Sequence, residues 1–347
     1  MILDDRAALE RLDPHDARGA LVAFPRQCRA ATELRAEPAV SVKRPRLVVV
    51  AGMGGSAAGG DLLVTCAADR LDVPLIVHRG YGLPVAATGE SLVIACSYSG
   101  DTVEVLSAVD AAAARGTAIV AVTAGGALAA RAQAAGWPLV RLPGGLMPRM
   151  ALGYLFLPCL ELLRGAGLEL ASAGEVAEAL AVVEALGREL EPARAASGNE
   201  AKAIALAVHG RLPAIYGGPL TGAAAYRWKT DVEENAKTFA LSGVLPEMNH
   251  NEIEAWHGPD AQRMQLVLLR DTDEPPEIAR RFTLLREIAG PAAGGVSEIR
   301  ARGVGRIARL LSLVYLGQWT SYYLAILRGV DPWEVPRLDE LKRRMRG

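Results

Sequence analysis

Five short apolar runs, 47–51, 75–78, 92–96, 118–123 and 139–142, are bounded by Gly and Pro and separated by helix-forming stretches. Because runs such as 47–51 and 92–96 are continuously apolar and do not alternate with polar residues, both faces of the resulting strands must be covered. Strands of this kind, alternating with helices, build a parallel sheet with helices on either side. The first part of the chain is therefore expected to be a doubly wound α/β domain that ends in a helix over 150–164. The pattern restarts with a run over 212–216, a Gly-rich turn, Gly217-Gly218-Pro219-Leu220-Thr221-Gly222, and a helix over 223–237. Strands over 264–269 and 295–300 and helices over 276–289 and 307–327 complete a second α/β half. The expected organisation is an N-terminal helical arm over 1–44 with a break around Pro25, a first subdomain over 45–167, a helical linker over 168–208 and a second subdomain over 209–347.

A chain of 347 residues, 51% of them apolar, is long enough to bury the cores of two such halves. Its 38 basic and 39 acidic residues are interspersed, which speaks against a nucleic-acid-binding face or a polyanion-binding tail. The start, Ile2-Leu3-Asp4-Asp5-Arg6, lacks the apolar core of a secretory signal. The greasiest stretch, 310–327, is interrupted by Gln318, Thr320 and Ser321 and reads as a buried helix. A cytoplasmic location without membrane attachment is expected. Cys28, Cys66, Cys96 and Cys159 are scattered among apolar neighbours, as buried thiols are, and form no zinc or disulfide pattern.

Two run ends carry the chemistry. One continues into Gly52-Met53-Gly54-Gly55-Ser56 and the other into Ser97-Tyr98-Ser99-Gly100-Asp101-Thr102. Each places small residues, backbone N–H groups and hydroxyls where a following helix has its positive end, an arrangement that suits a phosphate held without a metal. A nicotinamide site is disfavoured, because the next run ends His78-Arg79-Gly80 where a ribose-binding carboxylate belongs. No Gly-Lys-Ser/Thr follows the glycines, so the turn is not a P-loop.

A second dense segment runs from Arg227-Trp228-Lys229 through Glu233-Glu234-Asn235-Ala236-Lys237 to Leu245-Pro246-Glu247-Met248-Asn249-His250-Asn251-Glu252. Carboxylates, an imidazole and amides at this density suit general acid–base chemistry, with one group to abstract a proton from carbon and a second to move a proton at oxygen. A carboxylate in a partly dry cleft and an imidazole suit those two tasks. From the residues alone, either Glu233 or Glu234 could instead pair with Lys229, Lys237 or Arg227 on a solvated face.

The Ser-x-Ser-Gly-x-Thr loop together with Gly54-Gly55-Ser56 resembles the sugar isomerase (SIS) domain. The segments Glu234-Asn235-Ala236-Lys237 and Pro246-Glu247-Met248-Asn249-His250-Asn251-Glu252 resemble the bifunctional phosphoglucose/phosphomannose isomerase family. That resemblance covers the chain from about residue 45 onward and implies two SIS subdomains. It also implies a phosphosugar substrate, glucose 6-phosphate and mannose 6-phosphate interconverted with fructose 6-phosphate through a cis-enediol, in glycolysis and gluconeogenesis. It implies neither metal nor cofactor. Gly54, Gly55, Ser56, Ser97, Ser99 and Thr102 are the implied phosphate ligands and Glu234 the implied base. His250 is the implied ring opener, reaching in from the second subunit of a homodimer. Arg149, in Pro148-Arg149-Met150-Ala151-Leu152-Gly153, is implied to stabilise the enediolate. The segment around Asp331-Pro332 and Val335 implies that Lys342 reaches the site, although Lys342-Arg343-Arg344 also reads as a solvated charged run. Trp333-Glu334 depart from the family's smaller residues, which makes acceptance of the mannose epimer less secure than that of the glucose epimer. Two rivals stand beside this reading: a non-catalytic sugar-phosphate sensor, and an isomerase of another phosphosugar.

Overall fold

The computed structural model describes residues 2–346. Its chain order is α1 (Arg6–Leu12), α2 (Ala17–Ala31), β1 (Ala36–Glu37), β2 (Leu47–Ala51), α3 (Gly54–Ala67), β3 (Leu75–His78), β4 (Ser91–Cys96), α4 (Val103–Ala114), β5 (Ala118–Thr123), α5 (Gly126–Ala135), β6 (Leu139–Arg141) and α6 (Leu152–Gly165). It continues with α7 (Ala173–Leu190), α8 (Glu200–Val208), β7 (Leu212–Gly217), α9 (Gly222–Ala236), β8 (Leu241–Val244), β9 (Met264–Arg270), α10 (Pro276–Ala289), β10 (Gly295–Arg300), α11 (Arg306–Arg328) and α12 (Pro336–Arg346). The chain divides into two compact units, Ala23–Leu180 and the remainder, with the divisions falling inside α2 and α7.

In the 23–180 unit six strands form one sheet in the order β1-β6-β5-β4-β2-β3, parallel except for β1, which runs antiparallel to β6 at the edge. All of β2 and β4 is buried, as their unbroken apolar runs demand. Val49, Ala51, Val93 and Ala95 pack beneath α4 and α5 through Val105, Ala108, Val109, Leu128 and Ala132. On the opposite face, a Cβ on Gly60 of α3 would stand 2.9 Å from Val50 and 3.0 Å from Val77, so that helix lies unusually close to the sheet.

In the other unit four parallel strands run in the order β10-β9-β7-β8. The two parallel sheets share one winding: the first strand of each lies between the second and the third, and later strands extend beyond the third. In such sheets the loops after the first and third strands face each other across the switch point, where ligands bind.

The expected break around Pro25 does not occur, because α2 runs through it. Proline removes the N–H that would bond the carbonyl four residues back. That carbonyl, Leu21 O, accepts instead from the Tyr315 hydroxyl at 2.8 Å. Strand β8, with Ser and Gly at its centre and exposed ends, was not expected. Helix α11 is long and apolar enough to cross a membrane, but 94% of its apolar window is buried within the protein. All four cysteines are buried and unpaired by disulfides.

Candidate active site

In the 23–180 unit the loops after β2 and β4 flank the switch point, because these strands are neighbours, Ala51 opposite Ala95. The first loop enters α3 through Gly54, exposed at φ +50° with open space where a Cβ would stand. Gly55 is required for another reason: a Cβ there would lie 2.8 Å from both the Cα and the N of Arg149. Gly59, one turn on, leaves room for the Leu155 carbonyl of α6. This small-residue face of α3 lets the Arg149 turn and α6 close against it.

The second loop is tied to the first, since the Tyr98 N–H donates to Ser56 Oγ at 3.1 Å. Ser97 is fully buried and its Oγ accepts from Gly100 N at 3.0 Å. Ser97 Oγ and Thr102 Oγ1 lie 2.9 Å apart, so one of their two hydroxyl hydrogens is used between them and one is left for a ligand. Ser99 is exposed, its Oγ accepting from Asp101 N at 3.3 Å. Gly100, at φ +80°, passes so close to Gly125 that no side chain fits there. Neither α3 nor α4 has a side-chain cap at its N-terminus. Their first amides are therefore left to a ligand or to water, and the dipoles favour an anion.

Arg149 is buried in a single 3-10 turn, Pro148–Met150, whose Met150 N donates to Met147 O at 2.8 Å. Gln27 of α2 braces this turn from behind, donating to Met150 O at 2.9 Å and accepting from Gly153 N at 2.8 Å. Tyr98 reaches the preceding segment: its hydroxyl donates to Pro143 O at 2.8 Å and accepts from Leu146 N at 3.1 Å. Burial pushes the Tyr98 phenol up, so it stays protonated and able to donate.

In the other unit Glu234 sits on the last turn of α9. Lys229 donates to both oxygens of Glu233, at 2.8 and 2.7 Å, which engages that glutamate in an i,i+4 pair. The flanking motif residues hold the helix end. Asn235 is buried and donates to Ser321 Oγ of α11 at 2.9 Å, and Arg328 donates to Ala236 O at 2.8 Å. Lys237 takes the left-handed conformation that ends the helix, and its ammonium donates to Asn235 O and Asp331 O. Upstream, Trp228 donates to Leu313 O at 2.6 Å over Gly317, where a Cβ would meet the indole at 2.2 Å. Helix α9 is thus fixed to α11 along its length.

His250 lies exposed at the end of the 3-10 turn Glu247–His250 beyond β8, and among the described residues its side chain has no hydrogen-bond or ion-pair partner. Asn251 braces this turn by donating to Glu247 Oε1 at 3.0 Å. Lys342 is exposed on α12, beside Glu340, which binds Arg343 and Arg344 instead. Asp331 accepts from Trp333 N and bonds His15 Nδ1, both at 2.7 Å. With Glu334 this pair has metal-ligand spacing. The Lys237 ammonium at the Asp331 carbonyl opposes a cation, and the group reads as a clasp between the chain's two ends.

The structure therefore gathers Gly54, Gly55, Ser56, Ser97, Ser99, Thr102 and Arg149 around one switch point and sets Glu234, His250 and Lys342 on separate elements of the other unit. Tyr98 and Asn235 lie within the sequence motifs without an expected role, and Lys237 was expected only as a pairing cation for Glu233 or Glu234. The signal for Asn235 was a polar residue at a position that helical spacing buries.

Fold and loops together define the class, a protein built from two SIS domains. Residues 197–345 match the family model of the bacterial phospho-glucose isomerase C-terminal SIS domain. A bifunctional phosphoglucose/phosphomannose isomerase from Caldicellulosiruptor bescii is 38% identical over 327 residues, 93% of this chain and 96% of its own. One from Thermoplasma acidophilum is 33% identical over 301 residues, 86% and 89% of the two chains. The solved structure of a glucose-6-phosphate isomerase like protein from Thermus thermophilus shares the fold with a TM-score of 0.67 at 22% identity, covering 98% of both chains. The chain belongs to the bifunctional phosphoglucose/phosphomannose isomerase family.

Proposed function

We propose that this chain is an aldose-ketose isomerase that interconverts glucose 6-phosphate and mannose 6-phosphate with fructose 6-phosphate. Beside family membership, one observation carries the reading: two uncapped helix N-termini and the hydroxyls of Ser56, Ser97, Ser99 and Thr102 meet at one switch point, with Arg149 packed on Gly55. The loops and the amides at Gly54 and Gly55 hold the phosphate as a dianion and leave the sugar free to react.

His250 moves the proton that opens the ring. Glu234 removes the C2 proton of the open-chain aldose, and the electron pair moves through C1=C2 to place negative charge on the C1 oxygen. Arg149 stabilises that charge, a role suited to a guanidinium that never deprotonates. After a proton passes from the C2 hydroxyl to the C1 oxygen, Glu234 returns its proton to C1 and the ketose forms. Both C2 epimers give the same planar enediol, so one base serves both. Resemblance assigns the base to Glu234, while its neighbour Glu233 pairs with Lys229.

The working unit in this proposal is a cytoplasmic homodimer serving glycolysis and gluconeogenesis, with His250 supplied to the site of the second subunit. The exposure of His250 and its lack of a side-chain partner among the described residues support that sharing. Lys342, exposed on α12, is assigned to the site on resemblance alone, and no metal or cofactor takes part.

The test is fructose 6-phosphate formation from each aldose phosphate by chelator-treated protein. Turnover is expected with both sugars, and Glu234→Gln is expected to lower kcat by at least about 10³-fold while phosphosugar binding persists. Wild-type protein that binds but never turns over would make the chain a sugar-phosphate sensor. Undiminished turnover in Glu234→Gln would move the base elsewhere.

A further inference from the structure

Between Pro143 and the Arg149 turn the chain passes through Gly144 and Gly145, both exposed, with Gly145 at φ +92°. Apart from the adjoining residues, no described atom lies within 4 Å of where a Cβ on either glycine would stand. What spans this turn is one hydroxyl. Tyr98 Oη donates to the carbonyl just before the two glycines, Pro143 O, and accepts from the amide just after them, Leu146 N. The same residue is fastened to both phosphate loops. Its N–H donates to Ser56 Oγ, its carbonyl accepts from Ala124 N at 3.1 Å, and it lies between Ser97 and Ser99 with its ring buried.

We propose that Tyr98 is a positioning residue for the isomerisation: its hydroxyl staples the Gly144-Gly145 turn and thereby fixes Arg149 against the phosphate loop. The proposal rests on the role given to Arg149 above. Two flexible glycines, four and five residues before Arg149, loosen the segment that leads into its turn, and a misplacement near 1 Å costs about 10²-fold in rate. The staple removes that freedom from the phosphate side and Gln27 removes it from behind. Because the hydroxyl bonds only backbone atoms of this turn, its loss should spare the phosphate contacts made by Ser97, Ser99 and Thr102.

Tyr98→Phe keeps the ring and the backbone bonds and deletes only the staple. In the full chain, measured in the fructose 6-phosphate to glucose 6-phosphate direction, kcat is expected to fall about 10- to 30-fold. The inhibition constant of inorganic phosphate should change less than about twofold and the melting temperature by only a few degrees. Gly145→Ala, which strains the same turn without touching Tyr98, should give the same split. Combined with Arg149→Lys, Tyr98→Phe should cost less than it does alone, since both act through one guanidinium. Wild-type kcat in Tyr98→Phe overturns the proposal, as does phosphate inhibition that weakens in step with kcat, or full additivity with Arg149→Lys. Wild-type protein without isomerase activity would instead sink the functional reading.

Discussion

The two Gly-rich turns occupy the same place in two sheets of the same winding, yet they are built to opposite ends. After β2, Gly54 opens onto unfilled space and the neighbouring β4 end supplies Ser97, Ser99 and Thr102. After β7, the turn closes on itself. The Thr221 hydroxyl accepts from Gly218 N at 2.7 Å and donates to Leu269 O at 2.6 Å, and Gly222 N donates to Gly218 O at 2.8 Å. Ile278 and Phe282 cover Gly218, with 3.2 and 3.4 Å left for a Cβ. The neighbouring β9 end carries Asp271, Asp273 and Glu274, paired with Arg309 and Arg270, where the first half carries hydroxyls. A glycine turn at a switch point therefore does not make an anion site. The hydroxyls across from it do, and carboxylates there would repel a phosphate.

If this contrast is right, substitutions in the two turns should separate sharply. The largest effect is expected for Gly55→Ala, whose Cβ would meet backbone that cannot yield without carrying Arg149 with it. Its kcat/KM should fall by about 10²-fold or more in steady-state assays. Ser97→Ala removes the hydroxyl that braces Gly100 and Thr102. Hydrogen bonds to charged groups are worth about 1.5–3 kcal/mol, so KM for the phosphosugars should rise about 10- to 100-fold. Gly218→Ala asks only that Ile278 and Phe282 shift slightly. It should lower stability by about 1 kcal/mol in denaturant melts and leave KM within about twofold. Equal losses of KM in Ser97→Ala and Gly218→Ala would erase the contrast.

Much of this fold could be read from the chain because β2 and β4 are wholly buried, and burial on both faces writes an unbroken apolar run. The edge strand β8 escaped because Leu-Ser-Gly-Val, exposed at its ends, carries no such signature. The break at Pro25 was misread because the partner of Leu21 O is Tyr315, nearly 300 residues away, and no local rule anticipates it. The phosphate loops were legible since their donors are close together in sequence. The choice between Glu233 and Glu234 was not legible from the residues and rests on resemblance, which assigns the base to Glu234. The Tyr98 staple was hidden for the opposite reason to the loops: its partners are main-chain atoms that any sequence provides.

The central claim is that phosphate is held by the first turn and not by the second. Calorimetric titration of the full chain with inorganic phosphate tests it directly. The account predicts one site per chain, weakened at least about tenfold by Ser97→Ala and unchanged by Gly218→Ala. Two sites per chain, or a site lost in Gly218→Ala and kept in Ser97→Ala, would contradict it.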